Sequence, residues 1–203
     1  MRKISVTGIG TDVGKTIIAA MLVEALKADY WKPIQAGYQE GTDTELVKRL
    51  VTNTTSHFFK ESYLLKEPCS PHAAAELEGI TIELEKLKLP QSTTTLVIEG
   101  AGGVLVPIND TDYVADMIQL FDCEVLLVSK NYLGSINHTL LTLEELKRRN
   151  CNLTGIVFNG EPNPSSEKII LKKHSFPFVA HVKHEPIITK EIIANYSSIF
   201  KNY

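Results

Sequence analysis

Residues 7–16 read Thr-Gly-Ile-Gly-Thr-Asp-Val-Gly-Lys-Thr, a glycine-rich stretch that ends in Gly14-Lys15-Thr16. It lies between a run of β-favouring residues, Ile4 to Thr7, and a segment from Thr16 to Ala28 whose apolar residues recur at helical spacing. A glycine-rich turn that joins a strand to a helix and ends in Gly-Lys-Thr is typical of a phosphate-binding loop. The stretch therefore predicts that the loop from Gly8 to Thr16 binds a nucleoside triphosphate.

Each residue type in this loop has a role in phosphate binding. Backbone N–H groups of the loop and of the first helical turn would surround the anion, and Gly14 would let the backbone come close. Lys15 would direct its ammonium at the β- and γ-phosphates, and Thr16 would offer its hydroxyl to Mg²⁺. The strict pattern needs glycine at position 9, where this chain has Ile9. The alternative is a glycine-rich turn that only connects a strand to a helix.

Strand-like and helix-like segments alternate along the rest of the chain. The patterns predict further strands at Tyr30–Ile34, Thr95–Ile98, Glu124–Val128, Leu153–Phe158 and Phe178–Val182. They predict helices at Thr44–Val51, Pro71–Leu77, Ile82–Leu89, Tyr113–Phe121, Asn137–Arg149, Ser165–His174 and Thr189–Phe200. This alternation predicts an α/β fold with a mostly parallel central sheet and helices on both faces, of the P-loop NTPase type, in a single domain over residues 1–203.

Composition excludes several classes of protein. The 203 residues include 21 Lys and Arg against 24 Asp and Glu, so the net charge is −3 and lacks the basic surplus of a nucleic-acid-binding domain. The cysteines, Cys69, Cys123 and Cys151, are widely separated, which favours neither a disulfide framework nor a zinc cluster. No apolar run approaches the ~20 residues that cross a bilayer, and no signal peptide precedes the first glycine. We therefore expect a cytoplasmic protein that binds neither nucleic acid nor membrane.

Polar residues stand where the predicted strands end. Lys32, Glu99 and Asn159 follow apolar strand segments, and ligands of parallel sheets bind beyond the carboxyl ends of the strands. Glu99 precedes Gly100-Ala101-Gly102-Gly103 and would help to hold Mg²⁺, with Asp43 as a second carboxylate. Lys32 would neutralise charge that develops on a transferring phosphoryl group. The alternatives are a solvated strand end for Glu99, a helix N-cap for Asp43 and an exposed edge lysine for Lys32.

Four segments together resemble the dethiobiotin synthetase family. They are residues 7–16, Lys32-Pro33-Ile34-Gln35-Ala36-Gly37, Ser70-Pro71-His72, and Val97-Ile98-Glu99-Gly100-Ala101-Gly102-Gly103 followed by Pro107-Ile108. A fifth segment, Leu133 to His138, is similar to the loop with which that family binds the substrate carboxylate. The similarity in order and spacing extends from residue 1 to about residue 160.

The resemblance implies an ATP-dependent cyclo-ligase of biotin biosynthesis. Its reaction would join CO₂, or bicarbonate as its source, to 7,8-diaminononanoate and close the ring of dethiobiotin, with release of ADP and phosphate. The path would run through a carbamate and a carbamic-phosphoric anhydride. ATP would be the co-substrate and Mg²⁺ the cofactor, and the site would lie at the interface of a homodimer.

The resemblance also implies a set of site residues. Lys32, Lys15 and Thr11 would be catalytic. The nucleotide and its metal would be held by Asp12, Val13, Gly14, Lys15, Thr16, Ile17, Asp43, Glu99, Gly100, Ala101, Gly102 and Asn159. Of these, Thr16, Asp43 and Glu99 would bind Mg²⁺, and Asn159 would contact the adenine. The substrate would be bound by Thr11, Ala36, Ser70 and Pro71 and by the partner subunit's segment Gly134, Ser135, Ile136 and Asn137.

Two positions depart from the family pattern. Ala36 stands where the family usually has Thr or Ser, whose hydroxyl contacts substrate, and Ile9-Gly10 stands where it usually has Thr-Asp or Thr-Asn. Two other functions share the P-loop. A partition or scaffold-type ATPase typically carries a second lysine early in the loop, and none occurs here between Gly8 and Thr11. An amidotransferase-type synthetase that acts on a corrinoid acid is far longer than 203 residues.

Overall fold

The computed structural model describes residues 1–203 and is built on a seven-stranded sheet whose neighbouring strands all pair in parallel. The strands are β1 (Lys3–Gly8), β2 (Asp29–Trp31), β3 (Ile34–Ala36), β4 (Phe58–Phe59), β5 (Tyr63–Leu65), β6 (Leu96–Gly103), β7 (Glu124–Lys130), β8 (Asn152–Asn159) and β9 (Phe178–Val182). The order across the sheet is β4-β2-β6-β1-β7-β8-β9, and β3 pairs with β5 in a separate two-stranded sheet.

The helices connect these strands. They are α1 (Lys15–Leu26), α2 (Asp43–Leu50), α3 (Pro71–Leu77), α4 (Val114–Leu120), α5 (Ser135–Arg148), α6 (Pro164–Lys173) and α7 (Lys190–Ser197). Short 3₁₀ turns occupy Leu84–Lys86 and Ser198–Phe200. None of these helices combines the length and the apolar character that a membrane crossing requires.

Apolar side chains form two core clusters on opposite faces of the sheet, as the alternation of side chains along a strand dictates. Ile4 and Val6 of β1 belong to a cluster of 28 buried residues that α1 and α7 cover. Ile98 of β6 and Val125 of β7 belong to a cluster of 19 buried residues that includes α3 and α4. The predicted fold, a parallel sheet with helices on both faces, is confirmed.

The predicted helix over Ile82–Leu89 is wrong, because only a 3₁₀ turn forms there, at Leu84–Lys86. Ile82 and Leu87 are both buried in the second core cluster. On an α-helix, positions five apart lie about 140° from each other, so both side chains could not face the same core. Extended backbone at Glu83 and at Leu87 on either side of the turn lets both point inward.

The predicted strand Tyr30–Ile34 is divided into two. β2 ends at Trp31, and β3 begins at Ile34 in the smaller sheet, since Pro33 between them has no N–H to continue a ladder. The Pro33 carbonyl instead accepts hydrogen bonds from the N–H groups of Ser62 and Tyr63 at 2.8 and 3.0 Å. The short strands β4 and β5 were not predicted. β6 also continues to Gly103, five residues beyond its predicted end, so Glu99 lies within the strand.

Candidate active site

The glycine-rich stretch joins β1 to α1, in the strand-to-helix setting that its sequence predicts. Gly14 precedes α1 with φ +94°, a left-handed conformation, and a Cβ there would overlap the side-chain amide of Asn159. No side chain caps the start of α1, so the first N–H groups of this helix remain open to an anion. The backbone thus provides the donors that a bound phosphate requires.

Two lysines contact the carbonyl groups of this loop. The Lys15 ammonium donates to the Gly10 carbonyl oxygen at 2.8 Å, and the Lys130 ammonium donates to the Asp12 carbonyl oxygen at 3.3 Å. Lys15 is buried, and this burial lowers the pKa of its ammonium despite the nearby charge of Glu99. Because only a neutral carbonyl oxygen accepts a hydrogen bond from this buried ammonium, its positive charge is available to attract an anionic phosphate.

Lys32, Asp43 and Glu99 form a buried cluster of charges beside the loop. The Lys32 ammonium contacts the Asp43 carboxylate and lies 3.0 Å from Glu99 Oε1. The Thr16 hydroxyl donates to the same Glu99 oxygen at 2.8 Å. Burial opposes the charge on Lys32, but the Glu99 and Asp43 carboxylates outweigh it and raise the pKa of the ammonium. Lys32 is therefore a cation that is held between two anions.

Strand register and a helix cap bring these groups together. Trp31 of β2 pairs with Ile98 of β6, so the residues that follow them, Lys32 and Glu99, become neighbours. Asp43 is the first residue of α2, whose cap is the preceding residue, Thr42, in a capping box with Glu45. The N-cap alternative for Asp43 is thus wrong. The alternatives of an exposed Lys32 and a solvated Glu99 are wrong as well, since both side chains are buried.

The loop and the charge cluster open into a crevice of about 770 Å³. Most of the predicted site residues line it: Thr11, Asp12, Gly14, Lys15, Thr16, Ile17, Lys32, Ala36, Asp43, Ser70, Pro71, Glu99, Ala101 and Gly102. Five residues that were not predicted as site residues line it too: Gln35, Leu46, Pro68, Cys69 and Val106. The crevice lies at the carboxyl edge of the sheet, where parallel sheets bind their ligands.

Other predicted residues lie away from the crevice wall. Val13 and Gly100 do not line it, and the Asn159 side-chain amide donates to the Val13 carbonyl at 2.8 Å, which ties the end of β8 to the loop. Gly134, with φ +99°, precedes α5, whose first turn contains Ser135, Ile136 and Asn137. This turn belongs to a different part of the same sheet edge, beyond the end of β7.

Three contacts near the site were not predicted from sequence. The Tyr30 hydroxyl donates to Glu99 Oε2 at 2.8 Å. The Gln35 side-chain oxygen accepts a hydrogen bond from the Asp43 N–H at 3.1 Å, and the Lys130 ammonium donates to the Asp12 carbonyl oxygen of the loop. Tyr30 precedes Lys32 by two residues, and strand periodicity would have placed both on one face. Lys130 ends an apolar strand, the same signal that identified Lys32.

Comparison with solved structures shows the same fold in a ParA family ATPase and in a plasmid partition protein. A ParA family ATPase from Chlorobium tepidum superposes with a TM-score of 0.58 at 14% identity, over 98% of this chain and 90% of the other. A plasmid partition protein from Borrelia burgdorferi bound to AMPPNP gives a TM-score of 0.53 at 13% identity, over 96% and 90%. At these identities the likeness is one of fold.

Comparison of sequences is more specific. A family model described as an AAA domain matches residues 2–192. The ATP-dependent dethiobiotin synthetase BioD of Christiangramia forsetii is 48% identical over 97% of this chain and 94% of its own length. The protein of the same name from Cytophaga hutchinsonii is 53% identical over 100% of this chain and 99% of its own length. From these full-length matches, together with the loop and the charge cluster, the chain belongs to the ATP-dependent dethiobiotin synthetase family.

Proposed function

We propose that this protein is an ATP-dependent cyclo-ligase that converts 7,8-diaminononanoate and CO₂ into dethiobiotin, with release of ADP and phosphate. The observation that carries the proposal is the convergence of two buried ammonium groups, Lys15 and Lys32, on one crevice. The near-full-length identity to proteins named for this activity supports it.

The reaction has three steps, and each joins or separates charged groups. An amine nitrogen of the diamine adds to the carbon of CO₂, loses a proton and gives a carbamate. A carbamate oxygen then attacks the γ-phosphorus of ATP, the bond to the bridging oxygen breaks, and ADP leaves. The second amine nitrogen attacks the carbonyl carbon of this mixed anhydride, closes the cyclic urea and expels phosphate.

The second step brings two anions together, which makes cationic side chains necessary. Lys15 would bind the β- and γ-phosphates, because its ammonium lies within the loop that surrounds them. Lys32 would contact the carbamate oxygen and the transferring phosphoryl group from the side of β2. Thr11 and Asp12 line the crevice between loop and substrate, where they would orient both reactants. Asn159, whose side-chain amide donates to the Val13 carbonyl, would contact the adenine.

Mg²⁺ fits the oxygen atoms of the cluster. Thr16, Asp43 and Glu99 offer one hydroxyl and two carboxylates, which are hard oxygen donors, and the Lys32 ammonium already lies as a cation between the two carboxylates. No group of three or more His, Cys, Asp or Glu side chains is placed so that it could hold a metal ion, so phosphate oxygens would complete the coordination. A bound Mg²⁺ would neutralise negative charge on the phosphates.

The diaminononanoate would lie along the wall formed by Ala36, Ser70 and Pro71. Its carboxylate would be received by the start of α5 in the partner subunit of a homodimer, at Gly134 to Asn137. The structure lends support in two ways. No side chain caps α5, and although the Ser135 N–H donates to the Tyr132 carbonyl at 2.9 Å, the N–H groups of Ile136 and Asn137 are free for an anion. Leu133, the residue before Gly134, is an apolar side chain with no cover in the single chain.

We further infer that residues 1–203 act as one domain and that the protein works in the cytoplasm. One sheet lies between both core clusters, which supports the first inference. Use of ATP as co-substrate supports the second. A partition-type ATPase is the alternative, but the likeness to such proteins is confined to fold, and no lysine lies between Gly8 and Thr11.

A turnover assay tests the proposal. The purified protein would be supplied with ATP, Mg²⁺, bicarbonate and 7,8-diaminononanoate, and ADP and the cyclic urea would be measured together. We expect equal amounts of both products and no ADP release above background when the diamine or bicarbonate is omitted. ADP release that is independent of the diamine would contradict the proposal and favour the partition-type alternative.

A further inference from the structure

The two oxygen atoms of the Glu99 carboxylate have different surroundings. Oε1 faces the crevice, where it accepts hydrogen bonds from the Thr16 hydroxyl at 2.8 Å and from the Lys32 ammonium at 3.0 Å. Oε2 faces the interior, where it accepts a hydrogen bond from the Tyr30 hydroxyl at 2.8 Å. Glu99 is 1% exposed and Tyr30 is fully buried.

The contact between Tyr30 and Glu99 is hard to break. The Tyr30 hydroxyl and the Glu99 carboxylate are both buried, and the hydroxyl donates to Glu99 Oε2 at 2.8 Å. A hydrogen bond to a charged acceptor is stronger than one between neutral groups. If Glu99 rotated away, a buried hydroxyl would lose its partner, which is costly. The carboxylate is therefore fixed with one oxygen toward the crevice.

Divalent cations differ in the coordination geometry that they adopt and in whether they bind one or both oxygens of a carboxylate. Ca²⁺ takes six to eight oxygen ligands in flexible geometry and often binds both oxygens of one carboxylate. Mg²⁺ requires near-octahedral geometry at short distances and accepts single oxygens together with phosphate and water. A carboxylate whose inner oxygen is held by a buried hydroxyl presents only its crevice-facing oxygen to a metal, which suits the second demand and not the first.

We propose that Tyr30 is a positioning residue that makes Glu99 a ligand through one oxygen and so favours Mg²⁺ over Ca²⁺ at the nucleotide site. The inference rests on the proposed function, in which Glu99 binds the metal. Tyr30 itself touches neither metal nor substrate, and it acts only through the orientation of Glu99. Nothing else in the structure contacts Glu99 Oε2 by a hydrogen bond, so the effect depends on this one hydroxyl.

The test is Tyr30→Phe, which keeps the ring that packs in the core and removes the hydroxyl. Bound Mn²⁺ would be measured by electron paramagnetic resonance in the presence of a non-hydrolysable ATP analogue, with Mg²⁺ or Ca²⁺ added as competitor. We expect the preference for Mg²⁺ over Ca²⁺ to fall about tenfold, the loss that corresponds to one charge-assisted hydrogen bond. The control is Tyr203→Phe, which removes a partly buried hydroxyl that contacts Thr154 and should leave the preference unchanged.

The outcomes separate the two proposals. If wild-type protein binds no Mn²⁺ with the nucleotide analogue, the metal site of the proposed function is wrong. If wild type prefers Mg²⁺ and a folded Tyr30→Phe protein shows the same preference, only the role of Tyr30 is wrong. Where Tyr30→Phe does not fold, 4-aminophenylalanine at position 30 decides the question, because it keeps a weaker donor at the same place. A preference for Mg²⁺ that is lower than that of wild type supports the inference, and an unchanged one overturns it.

Discussion

Lys32 Nζ lies 3.0 Å from Glu99 Oε1, although the two residues are 67 positions apart in the chain. Their contact follows from the parallel pairing of β2 with β6, which places the ends of two distant segments side by side. With Asp43 the cluster carries two negative charges and one positive charge. This surplus of negative charge would favour a divalent cation, and we propose that Lys32 and Lys15 bind the phosphate and the carbamate.

Lys32→Ala should remove a charge that stabilises the transition state of phosphoryl transfer. We expect kcat to fall by about 10²–10³-fold, as when a single preorganised donor is removed from other active sites. Steady-state kinetics with ATP, bicarbonate and the diamine would measure it. Lys86→Ala is the matched control, since Lys86 is an exposed lysine that pairs with Glu83 at 2.6 Å and does not line the crevice. Turnover within about threefold of wild type, or under ~1 kcal/mol, would contradict the assigned role.

Gly14→Ala should destabilise the loop for two separate reasons. The left-handed φ of +94° costs about 1–2 kcal/mol for a residue with a Cβ, and the added methyl group would overlap the Asn159 amide. We expect weaker nucleotide binding and a melting temperature lower by at least about 2–4 °C. Gly10→Ala is the control for stability, because a Cβ at Gly10 meets no atom within 4 Å. Equal melting temperatures for the two variants would show that the Gly14 backbone is not restrained as described.

The sequence predicts the part of the site that depends on local order. The loop between β1 and α1 is one continuous segment, so its residue types and spacing are enough to identify it. The apolar segments with polar ends also identify Lys32 and Glu99 as neighbours of that loop, because parallel strands end at the same edge.

The rest of the site depends on contacts between distant segments. Thr42-Asp43-Thr44-Glu45 is a local capping-box pattern that indicates Thr42 as the cap of α2, but no local pattern shows that the Asp43 carboxylate, left free by this cap, contacts Lys32. Nor does a local pattern show that Tyr30 contacts Glu99, since that contact follows from the register of β2 with β6. The failed helix at Ile82–Leu89 has the same cause, because burial against the second core cluster outweighed a helix-like sequence.

Ala36→Ser should add a hydroxyl to the wall of the crevice, where the family usually has one. Ala36 lines the crevice, and the neighbouring Gln35 amide is engaged by the Asp43 N–H and the Gly37 carbonyl. One added hydrogen bond should lower KM for the diamine by about 2–10-fold and leave KM for ATP unchanged. Ala194→Ser in α7, outside the crevice, is the comparison for an added hydroxyl alone. An unchanged KM for the diamine in Ala36→Ser would show that substrate does not reach this wall.

The three cysteines should differ in their reaction with iodoacetamide. Burial raises the pKa of the Cys123 thiol to about 12, so at pH 8 only about one molecule in ten thousand carries the reactive thiolate. Burial also raises the pKa of Cys151. Cys69 is exposed and lines the crevice, so mass spectrometry should find it modified first and more slowly with ATP and diamine present. All three should react in urea, whereas early modification of Cys123 in the folded protein would contradict its burial.

A homodimer with shared sites predicts complementation between two inactive variants. Lys32→Ala damages the crevice of its own subunit. Asn137→Asp places a negative charge in the first turn of α5, where it would repel the diaminononanoate carboxylate while it favours the helix itself. Asn137 is exposed in the single chain, so this change should not disturb the core.

Each variant alone should be nearly inactive, because every site contains a lesion. In a mixed dimer one site would contain both lesions and the other neither, since the crevice comes from one subunit and the α5 start from its partner. After equal amounts of the two variants are unfolded and refolded together, about one quarter of all sites should be intact and specific activity should recover to about that fraction. If the crevice and the α5 start of the same subunit served one site, mixing would restore nothing, and the proposed shared site would be wrong.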